Sequence, residues 1–218
     1  MLADPIFFRA LKTTLILSIT TALLSPLLFS MIAYILVRRS WPGKLILDSI
    51  FWGSAGIPGI LSGLGLLWVI TATPGLNWLY GTIWILIIVV ILQGKLTSIQ
   101  MFKSVFLQMG EDMEEAARIA GAGWLRTYFK IWLPLIAPTL VLMGILNFVI
   151  AAGSTGSVIL LASRETVTLS LLALEYVTTS TGSAREVAGI ISLFIVAMTA
   201  GLALIARWVG FHAGVKNR

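Results

Sequence analysis

Residues 109–134 read MGEDMEEAARIAGAGWLRTYFKIWLP. Seven charged side chains fall within these 26 residues, between an uncharged run of 46 residues further upstream (49–94) and one of 33 that begins at Ile131. The segment is therefore a hydrophilic insertion between apolar stretches, and its local pattern is helical. Asp112 is placed to cap a helix with Glu115 at the third position, and Glu114 and Glu115 lie in the first turn, where the macrodipole favours negative charge. Glu114 and Arg118 form an i,i+4 pair. Met113, Ala116, Ala117 and Ala120 recur at three- and four-residue spacing and predict one small apolar face. Gly121 and Gly123 end or bend this helix. Beyond them Trp124, Tyr128 and Trp132 recur every four residues, with Arg126 and Lys130 on another face. This is the pattern of an amphipathic stretch in the lipid headgroup zone. Pro134 opens the next apolar run, where proline in a first helical turn costs little. Upstream, Thr97 followed by Gln100 predicts a capped short helix ending near Gln108 and broken by Gly110.

Outside this segment the chain is overwhelmingly apolar. Of 218 residues, 58% are hydrophobic and only 11% charged, and a soluble fold of this size cannot hide that much apolar side chain. A soluble enzyme, a disordered chain and a secreted disulfide scaffold are excluded; the chain has no cysteine. The net charge of +6 does not point to nucleic acid, because the charges sit at the ends of long neutral runs. Those runs are 13–37, 49–94, 131–163 and 187–206. About 20 apolar residues cross a hydrocarbon core of about 30 Å. The second run holds two crossings, because Thr73-Pro74-Gly75 makes a turn within it. Five transmembrane helices follow, at about 14–37, 50–72, 76–93, 135–152 and 188–208, with a hydrophilic loop over 94–133. The first is too long for a signal peptide and ends in Arg38-Arg39 instead of a cleavage site.

Orientation follows from lysine and arginine at the span ends. One side carries eleven, including Arg38, Arg39, Lys95, Lys103, Arg118, Arg207, Lys216 and Arg218; the other carries four, Arg9, Lys12, Arg164 and Arg185. The 94–133 loop and the C-terminus are expected in the cytoplasm and the N-terminus outside. Arg9 and Lys12 locally disagree, and a further upstream span would ease the conflict.

Glu115-Ala116-Ala117, Gly121 after three residues, Ile131 after nine more and Leu133-Pro134 after one resemble the EAA signature of binding-protein-dependent ABC importer permeases, with every fixed position matched. The lead-in Met109-Gly110-Glu111-Asp112-Met113 is also similar, and the general likeness runs from about Leu11 to Trp208. The resemblance implies an all-α membrane protein of MetI-like fold, a single domain over 1–218, in which the EAA segment forms a coupling helix. Asp112, Glu115, Ala116, Ala117, Gly121, Ile131, Leu133 and Pro134 would then engage a separate ATP-hydrolysing subunit. It further implies a second permease half, identical or homologous, an external solute-binding protein, and a bacterial inner membrane as the setting. The residues also fit a purely local reading, with Glu115 capping its own helix and the alanines packing on neighbouring spans.

No ATP site is visible in the chain itself. Walker A requires G-x-x-x-x-G-K-[ST], whereas Gly43-Lys44 and Gly94-Lys95 are each followed by leucine. His212 is the single histidine and has no partner pattern for zinc. A non-catalytic subunit with no cofactor is expected.

Candidates for the solute path are polar or backbone-opening residues inside spans. Gly59 and Gly63 form a small-xxx-small pair, Pro58 frees a carbonyl and bends the second span, and Ser62 accompanies them. This cluster fits either packing or a bend lining the conduit. Asn147 fits interhelical hydrogen bonding or path lining. Ser154 and Thr155, within Gly153–Ser157, fit a gate near the outer mouth or an ordinary exit loop. Thr166–Tyr176 is expected to be helical and to pack on that mouth. Phe148, Ile159-Leu160-Leu161 and Thr168-Leu169-Ser170 resemble the branch carrying ferric iron, thiamine or polyamines. That branch often has an Arg-Glu pair near 151–154, where this chain has Ala151-Ala152-Gly153-Ser154. A secondary transporter or channel is the alternative from another class, though the spans contain no acidic residue and no clear internal repeat. A structural membrane scaffold is a third reading, and it would not need the EAA spacing.

Overall fold

A computed structural model describes residues 5–110, 112–179 and 183–215, with side chains at 179, 183–184 and 205–215 excluded. Glu111 and the side chains of Arg207, Trp208, His212, Lys216 and Arg218 thus lie outside the described residues. Those described are mostly helical, with no strand among them. Two helices, α1 (Pro5–Arg38) and α11 (Ser183–Val215), are continuous and apolar enough to cross a membrane. Three further crossings are bent pairs, which gives five when each pair is counted once.

The first pair is α2 (Lys44–Gly53) and α3 (Gly59–Ala72), with a single 3₁₀ turn at Ser54–Gly56 between them. The two helices turn by 118°. The span expected over 50–72 is a broken element, and the break falls at the bend read at Pro58, the residue before α3, which lacks a donor. The second pair is α4 (Ile83–Gln93) and α5 (Lys95–Gln108), bent by 51° at Gly94. Here Thr97 lies inside α5, which starts at Lys95 with no side-chain cap, so the expected Thr97 cap is corrected; the end at Gln108 is as expected. The Thr73-Pro74-Gly75 turn is present. Gly75 has φ +91° and the Leu76 N–H donates to the Thr73 carbonyl at 3.2 Å, the geometry of a turn that needs glycine at its third position.

After α5 come α6 (Asp112–Ile119), α7 (Trp124–Thr127), a π turn at Tyr128–Trp132 and the single turn α8 (Leu133–Leu135). The third bent pair joins Trp124–Leu135 to α9 (Ala137–Gly153) at 76°. The fourth span therefore opens at Ala137 with Pro138 in its first turn, not at Pro134. A loop then leads to α10 (Leu169–Thr179), the helix expected over 166–176.

Helix α1 is the centre of the molecule and packs along α9, α5 and α4. At one end, Ala33, Tyr34, Phe102, Phe106, Tyr128, Trp132, Ile136 and Met143 form a buried cluster. Tyr128 and Trp132 are 2% and 0% exposed, which corrects the expected headgroup-zone stripe. Their four-residue spacing is real, but the face they share is turned into the bundle. Tyr34 lies 5.4 Å from Tyr128 and 6.3 Å from Trp132 by ring centroids, and Phe106 meets Trp132 edge-on at 5.6 Å. Such contacts add about 0.5–1.5 kcal/mol each beyond area burial. At the other end of α1, Phe7 and Ala10 pack with Leu169, Leu172, Ala173 and Ile191, and Arg9 pairs with Glu165 at 3.3 Å. Arg9 thus lies within α1 and opposite Arg38, which keeps the two charge groups at opposite ends of the bundle.

Candidate functional site

Helix α6 is short and charged at its start; it is bonded to α1 directly through Glu114, and the connection before it is held by Arg38. The Tyr34 hydroxyl donates to Glu114 Oε1 at 3.2 Å. Glu114 is held by α1 in this way, where the sequence paired it with Arg118. The Arg38 guanidinium donates to the carbonyls of Phe106 at 2.8 Å and Met109 at 2.6 Å, capping the end of α5 where carbonyls lack helical partners. The same guanidinium stacks over Trp132 at 5.0 Å, and Arg39 stacks over Trp124 at 5.8 Å. The arginines that mark the end of the first span therefore also fix where the α5–α6 connection leaves the bundle.

The C-terminus of α6 closes by a defined motif. The Gly121 N–H donates to the Arg118 carbonyl at 3.0 Å and the Ala122 N–H to the Ala117 carbonyl at 2.9 Å. With Gly121 at φ +77° this is a Schellman cap, which needs a left-handed residue at this place. Glycine is required by conformation alone, since a Cβ there would meet nothing within 4 Å of the chain itself.

The expected coupling residues divide into three groups. Asp112, the first residue of α6, and Glu115, Ala116 and Gly121 are exposed on one element, and Glu115 makes no hydrogen bond among the described residues. The local reading, in which Glu115 caps its helix, has no hydrogen bond behind it. Ala117 is 7% exposed and faces the permease, so the expected apolar face of Met113, Ala116, Ala117 and Ala120 is split. Ile119, 89% exposed, takes the outward place that the sequence gave to Ala117. Ile131 and Leu133 are half-buried and Pro134 exposed, in the π turn and α8; they belong to the joint into α9.

A second constellation lies within the bundle. Asn147 is 1% exposed. It accepts from the Ser25 hydroxyl at 3.2 Å and donates to Ser98 Oγ at 3.2 Å and to the Met143 carbonyl at 2.7 Å. It bridges α1, α5 and α9, the interhelical alternative of the two that the sequence left open. A Cβ on Gly94 would collide with the Asn147 side chain, so glycine at the α4–α5 bend lets α9 approach. Lys95 Nζ donates to the Leu92 carbonyl at 3.0 Å across the same bend.

Above Asn147, Ser154 and Ser157 each donate to Gln93 Oε1 at 3.1 Å, and their hydroxyls are 2.6 Å apart. The Ser170 hydroxyl donates to the Ser154 carbonyl at 2.7 Å, fixing the loop against α10. Gly59 and Gly63 meet Ser157, and a Cβ on Gly63 would strike the Ser157 carbonyl. The small-xxx-small pair therefore seats the loop after α9. Pro58 is exposed, and Ser62 and Thr155 are half-exposed, around this junction.

The sequence reading passed over Gln93, Ser98 and a stripe on α1. Thr14, Ser18, Thr21 and Ser25 are all buried at 0%. Their spacing of four, three and four residues on an apolar span was a readable signal of one polar face.

The comparisons agree with this architecture. The model of the family described as "Binding-protein-dependent transport system inner membrane component" matches residues 7–212. The "Molybdate/tungstate transport system permease protein WtpB" of Pyrococcus abyssi is 27% identical over 206 residues, 94% of this chain and 79% of that protein. A "Probable sulfate transport system permease protein cysT" of Chlorokybus atmophyticus is 27% identical over 170 residues, 74% of this chain and 59% of that protein. A solved bacterial ABC transporter for the import of alginate superposes with TM-score 0.79 at 17% identity, covering 97% of this chain and 81% of that one. The MetNI methionine ABC transporter in inward-facing form gives TM-score 0.71 at 15% identity, covering 96% and 98%. These two structures share the fold of this chain. The chain belongs to the family of binding-protein-dependent transport system inner membrane components, the non-catalytic permease subunits of ABC importers.

Proposed function

We propose that this permease carries a small tetrahedral oxyanion of the molybdate, tungstate or sulfate kind, and that α6 couples its movement to a separate ATPase. The observation that carries the coupling is the exposed face of α6. Ile119 is 89% exposed and Met113 42%, with Ala116 and Ala120 beside them, on a helix fixed from behind by Tyr34 and Arg38. A rigid apolar ridge of small residues, ringed by Asp112 and Glu115, suits insertion into a groove of another subunit. Gly121 leaves room for close approach by that subunit. Ile131, Leu133 and Pro134 act behind it, by setting the angle at which α6 meets α9.

One such chain presents a broken half-path, so a second permease half completes it, with two ATPase subunits inside and a solute-binding protein outside. The Arg38–α6 end faces the cytoplasm and the Arg9–Glu165 end the exterior, in accord with the charge asymmetry. The oxyanion reading takes its support from the relatives named for molybdate, tungstate and sulfate. The ferric-iron reading gains none from them. Among the path candidates, Pro58, Ser62, Ser154 and Thr155 sit around the junction below the outer loop, and Asn147 braces it.

The test is co-expression with candidate ATPase and solute-binding subunits from the same organism, followed by purification and uptake assays in vesicles. Co-purification with ATP-dependent uptake of labelled molybdate or sulfate is expected. A permease that takes up solute without any ATPase would overturn the coupling.

A further inference from the structure

Three arginines line one cavity at the Arg38 end of the bundle. The cavity, of about 430 Å³, lies between the end of α1 and α6, and Arg38, Arg39, Glu114, Arg118, Trp124 and Thr127 are among its walls. Glu114 is the only acid lining it, and its carboxylate accepts from the Tyr34 hydroxyl. Arg118, four residues on from Glu114 along α6, makes no hydrogen bond or ion pair among the described residues. The Arg39 guanidinium stacks over Trp124 and has no acid beside it. Arg38 donates to carbonyls, which carry no formal charge. Positive charge therefore exceeds negative in a concave site, which focuses the field on an anion. Guanidinium groups match phosphate oxygens with paired N–H donors.

The surroundings favour a lipid phosphate over a soluble one. Arg38 follows directly on the uncharged run 13–37, so the cavity opens where the first span ends. Beside it, α7 and the π turn expose Leu125 and Phe129, four residues apart, and Arg126 and Lys130, also four apart. Apolar and basic side chains alternating in this way along a helix suit the boundary between headgroups and acyl chains. The headgroup-zone pattern expected of this stretch thus falls on these four residues, while Tyr128 and Trp132 turn inward. We propose that the Arg39–Arg118 cavity binds the phosphate of an anionic phospholipid whose acyl chains lie against Leu125 and Phe129. The bound phosphate would bridge the end of α1 to α6 and add to the Tyr34–Glu114 bond in holding α6. Basic residues at a membrane surface are drawn to anionic lipids. The choice of the cytoplasmic leaflet rests on the orientation proposed above; the site itself does not.

The test reads the lipid directly. The complete transporter is equilibrated in mixed micelles of phosphatidylcholine and phosphatidylglycerol and washed in detergent. The phospholipid retained per permease is then measured by mass spectrometry. Phosphatidylglycerol should be enriched over phosphatidylcholine in the wild type and fall several-fold in Arg118→Gln and in Arg39→Gln. Arg118→Lys keeps the charge and should retain most of it. Lys44→Gln removes a charge at the same end but outside the cavity, and should retain the wild-type amount. An equal loss in Lys44→Gln means a general surface-charge effect and overturns the cavity assignment. Displacement of the lipid by excess inorganic phosphate means a site for the free anion and overturns the lipid. An Arg118→Gln variant that keeps its phosphatidylglycerol but loses the ATPase means that the arginine meets an acidic group of that subunit, which also overturns the proposal. Retained lipid does not depend on the solute carried. A wild-type protein that retains no phosphatidylglycerol therefore overturns this assignment alone, and failure to take up molybdate or sulfate overturns only the oxyanion reading.

Discussion

The Tyr34 hydroxyl on the central helix donates to Glu114 at the start of α6, 80 residues later in the chain, at 3.2 Å. This single bond joins the central helix α1 to the exposed helix α6, and Arg38 holds the preceding connection one turn further along. Removing it with Tyr34→Phe leaves the ring packing intact. A hydrogen bond to a charged group contributes about 1.5–3 kcal/mol when buried, less when half-exposed as here. We expect normal membrane levels, with two- to tenfold less transport per ATP hydrolysed. ATPase and uptake rates measured on one preparation check this; an unchanged ratio would assign α6 positioning to Arg38 alone.

Gly121→Val and Gly121→Asn should separate conformation from space. The left-handed φ of +77° costs a β-branched residue more than the ~1–2 kcal/mol of an ordinary L-residue, whereas asparagine visits this region readily. Among the described residues no atom lies within 4 Å of a Cβ at this position. Valine should unwind the cap of α6 and abolish ATPase co-purification. Asparagine should keep the cap, and any loss it shows measures how closely the ATPase approaches. The readout is ATPase recovered per permease on an affinity column.

Ala116→Asp and Ala117→Asp should fail differently. Ala116 is exposed, so a charge there spoils docking but leaves the permease folded. Ala117 is 7% exposed, so aspartate there buries a charge against the permease's own body. The expected outcome is wild-type membrane level without ATPase for the first, and a lowered membrane level for the second. Quantitative blotting of membranes distinguishes them.

Gly94→Ala should destabilise the α4–α5 bend, because the new Cβ meets the Asn147 side chain. Asn147→Ala removes that obstacle but also loses the hydrogen bonds with Ser25 and Ser98. Interhelical bonds in membranes average ~0.6 kcal/mol, so Asn147→Ala alone should cost about 1–2 kcal/mol. The double variant should be less destabilised than the sum of the singles, a coupling readable in thermal unfolding of the purified protein in detergent. Strict additivity would mean that the bend has room to spare.

How much of this was legible beforehand depends on the range of the interaction. The exposed helix at 112–119, its glycine stop and the turn at Thr73-Pro74-Gly75 were all readable, because caps and turns are decided by residues within one or two turns of each other. The burial of Tyr128 and Trp132 was not. A four-residue aromatic repeat looks the same whether its face meets headgroups or Phe106 and Tyr34, and only the packing of α1 and α5 decides between them. Gln93 drew no reading from the sequence, because its partners Ser154 and Ser157 come from a loop more than 60 residues later that only the folded chain brings to it.

The sequence by itself determined that this chain spans a membrane about five times, which end of each span is the more basic, and that an acidic, alanine-rich helix protrudes between the third and fourth crossings. Composition and local pattern suffice for that, because the bilayer is a uniform apolar solvent and helix caps act over short distances. Only the tertiary structure decided that two further crossings are broken besides the one at Pro58, that Ala117 faces inward while Ile119 faces out, that Asn147 becomes a brace, and that Gln93 meets Ser154 and Ser157. Those outcomes depend on which backbones can approach at Gly63 and Gly94, a three-dimensional fit between segments 50 to 95 residues apart that no local pattern encodes.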